Sequence, residues 1–321
     1  MARKKVKRPW LDYLVYLVVR SLVFIVRSMP ITLSYALARG LARLMYAVDR
    51  RHRLVGMENL RSAYGDAMTE AQRDRVVRGV YRHFCMMLME IFYTPDRIRL
   101  ENYREYVELV GHEPVLDRLI SGEPIIMLTG HYGNWELAGY LFGLFGFPTW
   151  SVARTLDNPY LERYLKVFRE RTGQRMIPKS GGYDQIVEVL ETRRPLSMVA
   201  DQDAGQRGTF VDFFGRPAST HKAIALLAIE HQAPVVVGVA RRIGPGFRYE
   251  MRCSRIIEPG EFTGGADDAR LLTQRFTTAL EELIRQDPSQ YLWLHRRWKH
   301  QPIARKKASK PEAARSEAAS A

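Results

Sequence analysis

From residue 123 onward the sequence alternates short apolar runs with amphipathic stretches of helical period, and this constrains the fold more than any other feature. The runs at 124–130 (PIIMLTG), 149–153, 176–177, 196–200 (LSMVA) and 235–240 (VVVGVA) have the length and β-branched content of strands. Between them, 134–145, 159–171, 183–192 and 222–231 carry apolar residues at helical spacing, and 269–285 forms a longer helix after a partly exposed strand at 248–257. Alternation of this kind needs crossover helices, which predicts an α/β fold: a central, mostly parallel sheet flanked by helices.

Upstream the grammar differs. Residues 54–93 are helical by the spacing of Leu54, Met57, Leu60 and Tyr64, and of Val76, Val80, Phe84, Leu88 and Ile91. Residues 1–50 are a basic N-terminus and two apolar stretches, 11–26 and 29–48, expected to be membrane-associated helices. Arg20 interrupts the first stretch, and a central arginine costs a spanning helix about 2.5–3.5 kcal/mol. Arg20 shares a helix face with Arg27, and Arg39 with Arg43. These pairs suit helices lying on an anionic leaflet, with a single tilted span as the alternative. The expected division is 1–50, an α/β unit at 51–303 (helical to 122, strand and helix thereafter), and a disordered tail at 304–321.

Charge follows the same map. The net charge is +14, from 49 Lys and Arg against 35 Asp and Glu. Residues 1–53 hold twelve basic residues against Asp12 and Asp49, and 295–310 hold seven with no acid. Basic ends around a near-neutral middle point to an anionic partner. No zinc finger, RNA-binding aromatic signature or basic heptad occurs, so no nucleic-acid partner is expected, and the terminal Trp and Tyr residues suit a membrane interface. Cys85 and Cys253 lack metal-ligand spacing, and no metal or cofactor is expected.

The sharpest local feature is Gly130-His131-Tyr132-Gly133-Asn134-Trp135-Glu136, at the carboxyl end of the first buried strand. Ligands of open α/β sheets bind there. A carboxylate on one imidazole nitrogen would fix the tautomer, leaving the other nitrogen to act as a general base on a hydroxyl. Glu136, five residues on, could fold back to His131 across the strand–helix junction. Equally, His131 could be satisfied locally with Glu136 on a solvated face. No GxSxG elbow, Walker loop or GxGxxG is present, and His131 with Glu136 lacks a third metal ligand.

GHYGNWE resembles the HxxxxE/D motif of the bacterial lipid A biosynthesis acyltransferases, within the wider lysophospholipid acyltransferase superfamily. Further blocks match in order: Val152-Ala153-Arg154 with Asn158-Pro159; Asp201-Gln202-Asp203 followed by Gly208-Thr209-Phe210 and Phe213-Phe214-Gly215-Arg216-Pro217; Ala233-Pro234-Val235; and Gln290 to Lys299. The third block is not the EGTRS form of the glycerolipid branch. The resemblance implies O-acyl transfer from an acyl thioester, carried by acyl carrier protein or coenzyme A, to a hydroxyl of a glycolipid. The implied acceptor is a lipid A precursor, with a phosphatidylinositol mannoside, aminolipid or lysophospholipid as alternatives. A non-catalytic membrane-surface binding protein is the reading from another class. The implied location is the cytoplasmic face of the inner membrane. Under the acyltransferase reading His131 is the base and Glu136 its orienting acid. Gly133, Asn134 and Arg154 are expected as oxyanion or phosphate donors, and Asp201 and Gln202 as site-shaping or sugar-binding residues. Phe214 and Arg216 are expected in a loop over the cleft. An acyl chain would need an apolar tunnel, with Trp135, Leu137, Tyr140, Leu141 and Phe145 as candidate walls or as core.

Overall fold

The computed structural model describes residues 9–262 and 265–302. The basic residues at 1–8 and the tail from 303 lie outside them. The chain opens with α1 (Pro9–Ser28), α2 (Ile31–Val48), α3 (Arg50–Tyr64) and α4 (Glu70–Arg97), then α5 (Tyr103–Tyr106), β1 (Val107–Val110) and α6 (Glu113–Ser121). The alternating part follows: β2 (Ile125–Thr129), α7 (Trp135–Leu144), β3 (Trp150–Ala153), α8 (Pro159–Glu170), β4 (Arg175–Pro178), α9 (Tyr183–Glu191) and β5 (Pro195–Val199). A hairpin of β6 (Thr209–Phe213) and β7 (Arg216–Thr220) precedes α10 (Ala223–Glu230), β8 (Val235–Arg242), β9 (Tyr249–Ile257) and α11 (Asp268–Gln286).

Seven strands form one sheet in the order β1-β9-β8-β2-β5-β3-β4. β4, β3, β5, β2 and β8 run parallel, β9 returns antiparallel to β8, and β1 lies parallel to β9. The mostly parallel sheet therefore stands, with two reversed strands on one edge. Central strands of such a sheet are covered on both faces, and accordingly Ile125, Ile126, Met127 and Leu128 are all buried. β1 was not expected within the helical part; a four-residue edge strand leaves almost no periodic signal.

The expected loop at Phe213–Arg216 is instead the tight turn between β6 and β7. Phe214 and Gly215 both have positive φ, 56° and 71°, as a two-residue hairpin turn of the primed kind requires. Neither phenylalanine covers a cleft. Phe213 packs on Tyr291 and Trp298, and Phe214 on Tyr64 and Trp293, both buried. A bulky side chain tolerates this backbone because that burial offsets the strain.

At the amino-terminal end α2 packs along α4. Buried Glu90 of α4 joins them to the sheet. It accepts from Tyr35 at 2.6 Å, from Arg242 at 2.6 Å, and from the Tyr249 hydroxyl. Glu90→Ala leaves the Arg242 guanidinium buried without its counter-charge, which typically costs about 3–5 kcal/mol. Denaturant titration should show a correspondingly lower midpoint, and an unchanged midpoint would refute this account of the pair.

Helix α1 meets the body on one stripe. Tyr13 and Tyr16 stack with Tyr160 and Tyr164 of α8, and Arg27 makes a bidentate pair with Asp96. Its other face exposes Leu14, Val18 and Leu22. By length and composition α1 alone among the described helices could cross a membrane.

Candidate active site

His131 lies two residues beyond β2, and Asp201 two residues beyond β5. The two strands are parallel neighbours in which Thr129 pairs with Val199. Equal offsets from paired residues bring the two side chains out of the sheet together. The Asp201 carboxylate accepts twice from His131: Oδ1 lies 2.7 Å from ring Nδ1, and Oδ2 lies 2.8 Å from the backbone nitrogen. Burial disfavours the imidazolium, but the Asp201 charge and hydrogen bond outweigh it, so the His131 pKa rises above its ordinary value. Burial likewise opposes the Asp201 carboxylate, yet His131 holds its pKa below the usual range. The ring's Nε2 makes no hydrogen bond within the described protein.

The expected partnership of His131 with Glu136 is corrected by this geometry. Asn134 caps α7, its side chain accepting from the Leu137 nitrogen at 3.0 Å. Glu136 therefore sits in the first helical turn and points to α8, where Arg169 grips both carboxylate oxygens, one at 2.9 Å from Nε. The ion pair ties α7 to α8 and consumes the carboxylate. The backbone amides of Gly133 and Asn134, expected as oxyanion donors, are also engaged. They donate to Gln290 O at 3.2 Å and to Ala240 O at 2.7 Å.

These contacts explain the loop's composition. Gly133 has φ of 63°, and a Cβ there would sit 2.2 Å from Ala240 O, so the backbone passes where no side chain fits. On its other side the Gly133 carbonyl accepts from Nε2 of His83, a residue of α4 whose burial pulls its pKa down to about 3. The C-terminal block completes the clamp. Tyr132 forms an antiparallel bridge with Tyr291, and Leu292 donates to the His131 carbonyl at 3.0 Å. Gln290 in turn joins Arg242 through both its amide atoms, and Arg297, buried beneath, donates to Ser219 and Thr220.

The remaining expected residues separate. Arg154 is 81% exposed in its side chain and, among the described residues, reaches only Asp157, at 3.3 Å. Gln202 is half-buried next to Asp201 and makes no side-chain hydrogen bond among the described residues. Arg216 extends toward Trp298 on the hairpin. Lys179, just past β4, went unnoticed in the sequence. It lies near enough to oppose protonation of His131. So did the pairing of Asp203 with His300, at 2.6 Å.

A cavity of about 360 Å³ opens between β2, β8, β9 and the helices α6 and α7. Its walls are largely apolar, including Met127, Ala138, Phe142 and Phe145. Thr129 and Trp135 also line it, and the Trp135 ring stands edge-on to His131 at 5.0 Å between centroids. The cavity therefore shares Trp135 with the surroundings of the imidazole and runs under α7 toward Val115. Of the expected chain-binding residues, Trp135 and Phe145 line it, whereas Leu137 and Leu141 are buried in the core and Tyr140 bonds Ile98 O.

Comparison with known proteins finds relatives over most of the chain. The lipid A biosynthesis lauroyltransferase of Escherichia coli is 27% identical over 300 residues, covering 92% of this chain and 93% of its own. The phosphatidylinositol mannoside acyltransferase of Mycolicibacterium smegmatis is 28% identical over 215 residues, 64% of this chain and 68% of its own. Among solved structures, the 1-acyl-sn-glycerophosphate acyltransferase PlsC from Thermotoga maritima aligns over 80% of this chain and 97% of its own, with 12% identity and a TM-score of 0.39. The model of the bacterial lipid A biosynthesis acyltransferase family matches residues 1–300; the chain belongs to that family.

Proposed function

We propose that the protein transfers a fatty acyl group from a thioester, carried by acyl carrier protein, to a hydroxyl of a lipid A precursor at the cytoplasmic face of the inner membrane. One observation supports this most: an imidazole paired to a buried carboxylate packs edge-on against Trp135, which lines an apolar cavity. His131 Nδ1–H donates to Asp201, so Nε2 carries the lone pair. It removes the proton of the acceptor hydroxyl as that oxygen attacks the thioester carbonyl. The tetrahedral intermediate collapses, the C–S bond breaks, and the imidazolium returns its proton to the departing sulfur. Ester and thiol leave, and His131 is neutral again. Asp201 takes the orienting role that the motif alone suggested for Glu136.

Charge developing on the carbonyl oxygen needs donors. Asn134 takes the Leu137 N–H, which leaves the first-turn N–H groups of Trp135 and Glu136 without an intrahelical acceptor, and Lys179 supplies a nearby positive charge. The acyl chain occupies the cavity under α7, where each buried methylene contributes about 0.8 kcal/mol. Ala138→Phe narrows that cavity. It should shift preference toward shorter chains, by about fourfold in relative kcat/KM for each methylene excluded. Competition between carrier-bound acyl groups of different length measures this, and an unaltered preference would place the chain elsewhere.

The deciding experiment incubates purified protein with acyl carrier protein loaded with one fatty acid and with candidate acceptors, and identifies the product by mass spectrometry. A lipid A precursor gaining one acyl group is the expected result. Acylation of a phosphatidylinositol mannoside instead would move the acceptor to the class named by the mycobacterial relative. No acylation of any lipid would overturn the proposal.

A further inference from the structure

A second hollow, of about 410 Å³, lies between α2 and α4. Arg39 and Arg43 of α2 face Arg75, Arg78 and Arg82 of α4 across it. Arg78 is neutralised: Asp74 accepts from its Nε at 2.7 Å, and its guanidinium stacks on Tyr46 at 3.9 Å. Arg39, Arg43, Arg75 and Arg82 have no acidic partner among the described residues. Arg39 and Arg82 also border an adjoining hollow that holds buried Arg242. The acid there, Asp287, is taken up by Ser289 and Gln290. Four uncompensated guanidinium groups around one concave space repel each other unless an anion joins them. Guanidinium binds phosphate oxygens two at a time and sheds its hydration more readily than lysine does.

The surroundings select the anion's source. Helix α2, which carries Arg39 and Arg43, exposes Leu33, Leu37, Leu41, Leu44 and Val48 at three- and four-residue steps. A helix with an uncovered leucine stripe beside a cationic hollow matches a bilayer boundary, apolar below and phosphate at its own level. We infer that the α2–α4 hollow is a docking site for the phosphate headgroup of an anionic membrane lipid, separate from the His131 cavity. This assignment concerns binding and does not depend on the acyl-transfer reading.

The test uses the full chain and vesicle flotation at fixed ionic strength. Vesicles of phosphatidylcholine alone are compared with equal parts phosphatidylcholine and phosphatidylglycerol. Each of R39Q, R43Q, R75Q and R82Q should lower the partition into anionic vesicles about fivefold, with no change on zwitterionic ones. R175Q, R193Q and R207Q, exposed arginines elsewhere, should leave both unaltered. Arg→Lys at the four positions keeps the charge but not the bidentate fork, so each should bind anionic vesicles better than the Gln variant and less well than wild type, which separates lost charge from lost folding. Equal losses in the control set would mean diffuse surface charge and overturn the site. Binding of inorganic phosphate that displaces the vesicles would make the ligand a free anion and overturn the lipid assignment. So would variants that keep vesicle binding but lose an acidic carrier protein.

Discussion

Replacing His131 with alanine should reduce acyl transfer by at least about 10²–10⁴-fold, the ordinary contribution of a positioned general base. The loss should fall on kcat. The apolar cavity that would hold the chain does not depend on the imidazole, so KM for the acyl donor should change little. The side chain is partly exposed and, among the described residues, makes its polar contacts only with Asp201, so folding should survive. A single-turnover assay with saturating donor checks this, with thermal unfolding as the control. Turnover near the wild-type rate would remove His131 from the chemistry and with it the proposed mechanism.

Asp201→Asn is the second large effect. An amide at this position cannot hold the Nδ1–H tautomer as a carboxylate does, and the corresponding change in other imidazole–carboxylate sites costs about 10⁴-fold. A comparable loss is expected here. The sign of the pH effect follows from the pair. Asp201 raises the His131 pKa, and the base works only when neutral, so wild-type activity should rise with pH through a midpoint above about 6.5, the unperturbed histidine value. In Asp201→Asn the charge is gone while burial remains, so the residual activity should reach its plateau at lower pH. A purely structural role for Asp201 would lower the rate without moving that midpoint. Glu136→Gln should cost much less than Asp201→Asn, because Glu136 is already matched by Arg169. If the order of the two losses is reversed, Glu136 and not Asp201 orients the base.

The parts of this molecule that were legible in its sequence are those encoded locally. The buried runs at β2, β5 and β8 and the amphipathic helices between them carry their own period. His131 announces itself through the glycines on either side and its place after a strand. Asp201 does not, because its nearness to His131 comes from the pairing of β2 with β5, seventy positions apart. The closer acid, Glu136, was the natural choice on spacing, and helix geometry turned it toward Arg169. The hairpin at Phe214 was hidden for a different reason. Its turn places a phenylalanine where glycine or asparagine is usual, a choice driven by packing against Tyr64 and Trp293 that no local rule anticipates.

The bridge between Tyr132 and Tyr291, with Leu292 bonded to the His131 carbonyl, has a consequence in time. Tyr132 is pinned by Tyr291, a residue made 159 positions later (291 − 132). A growing chain can assemble its early helices and several strands while this loop still lacks its fastener.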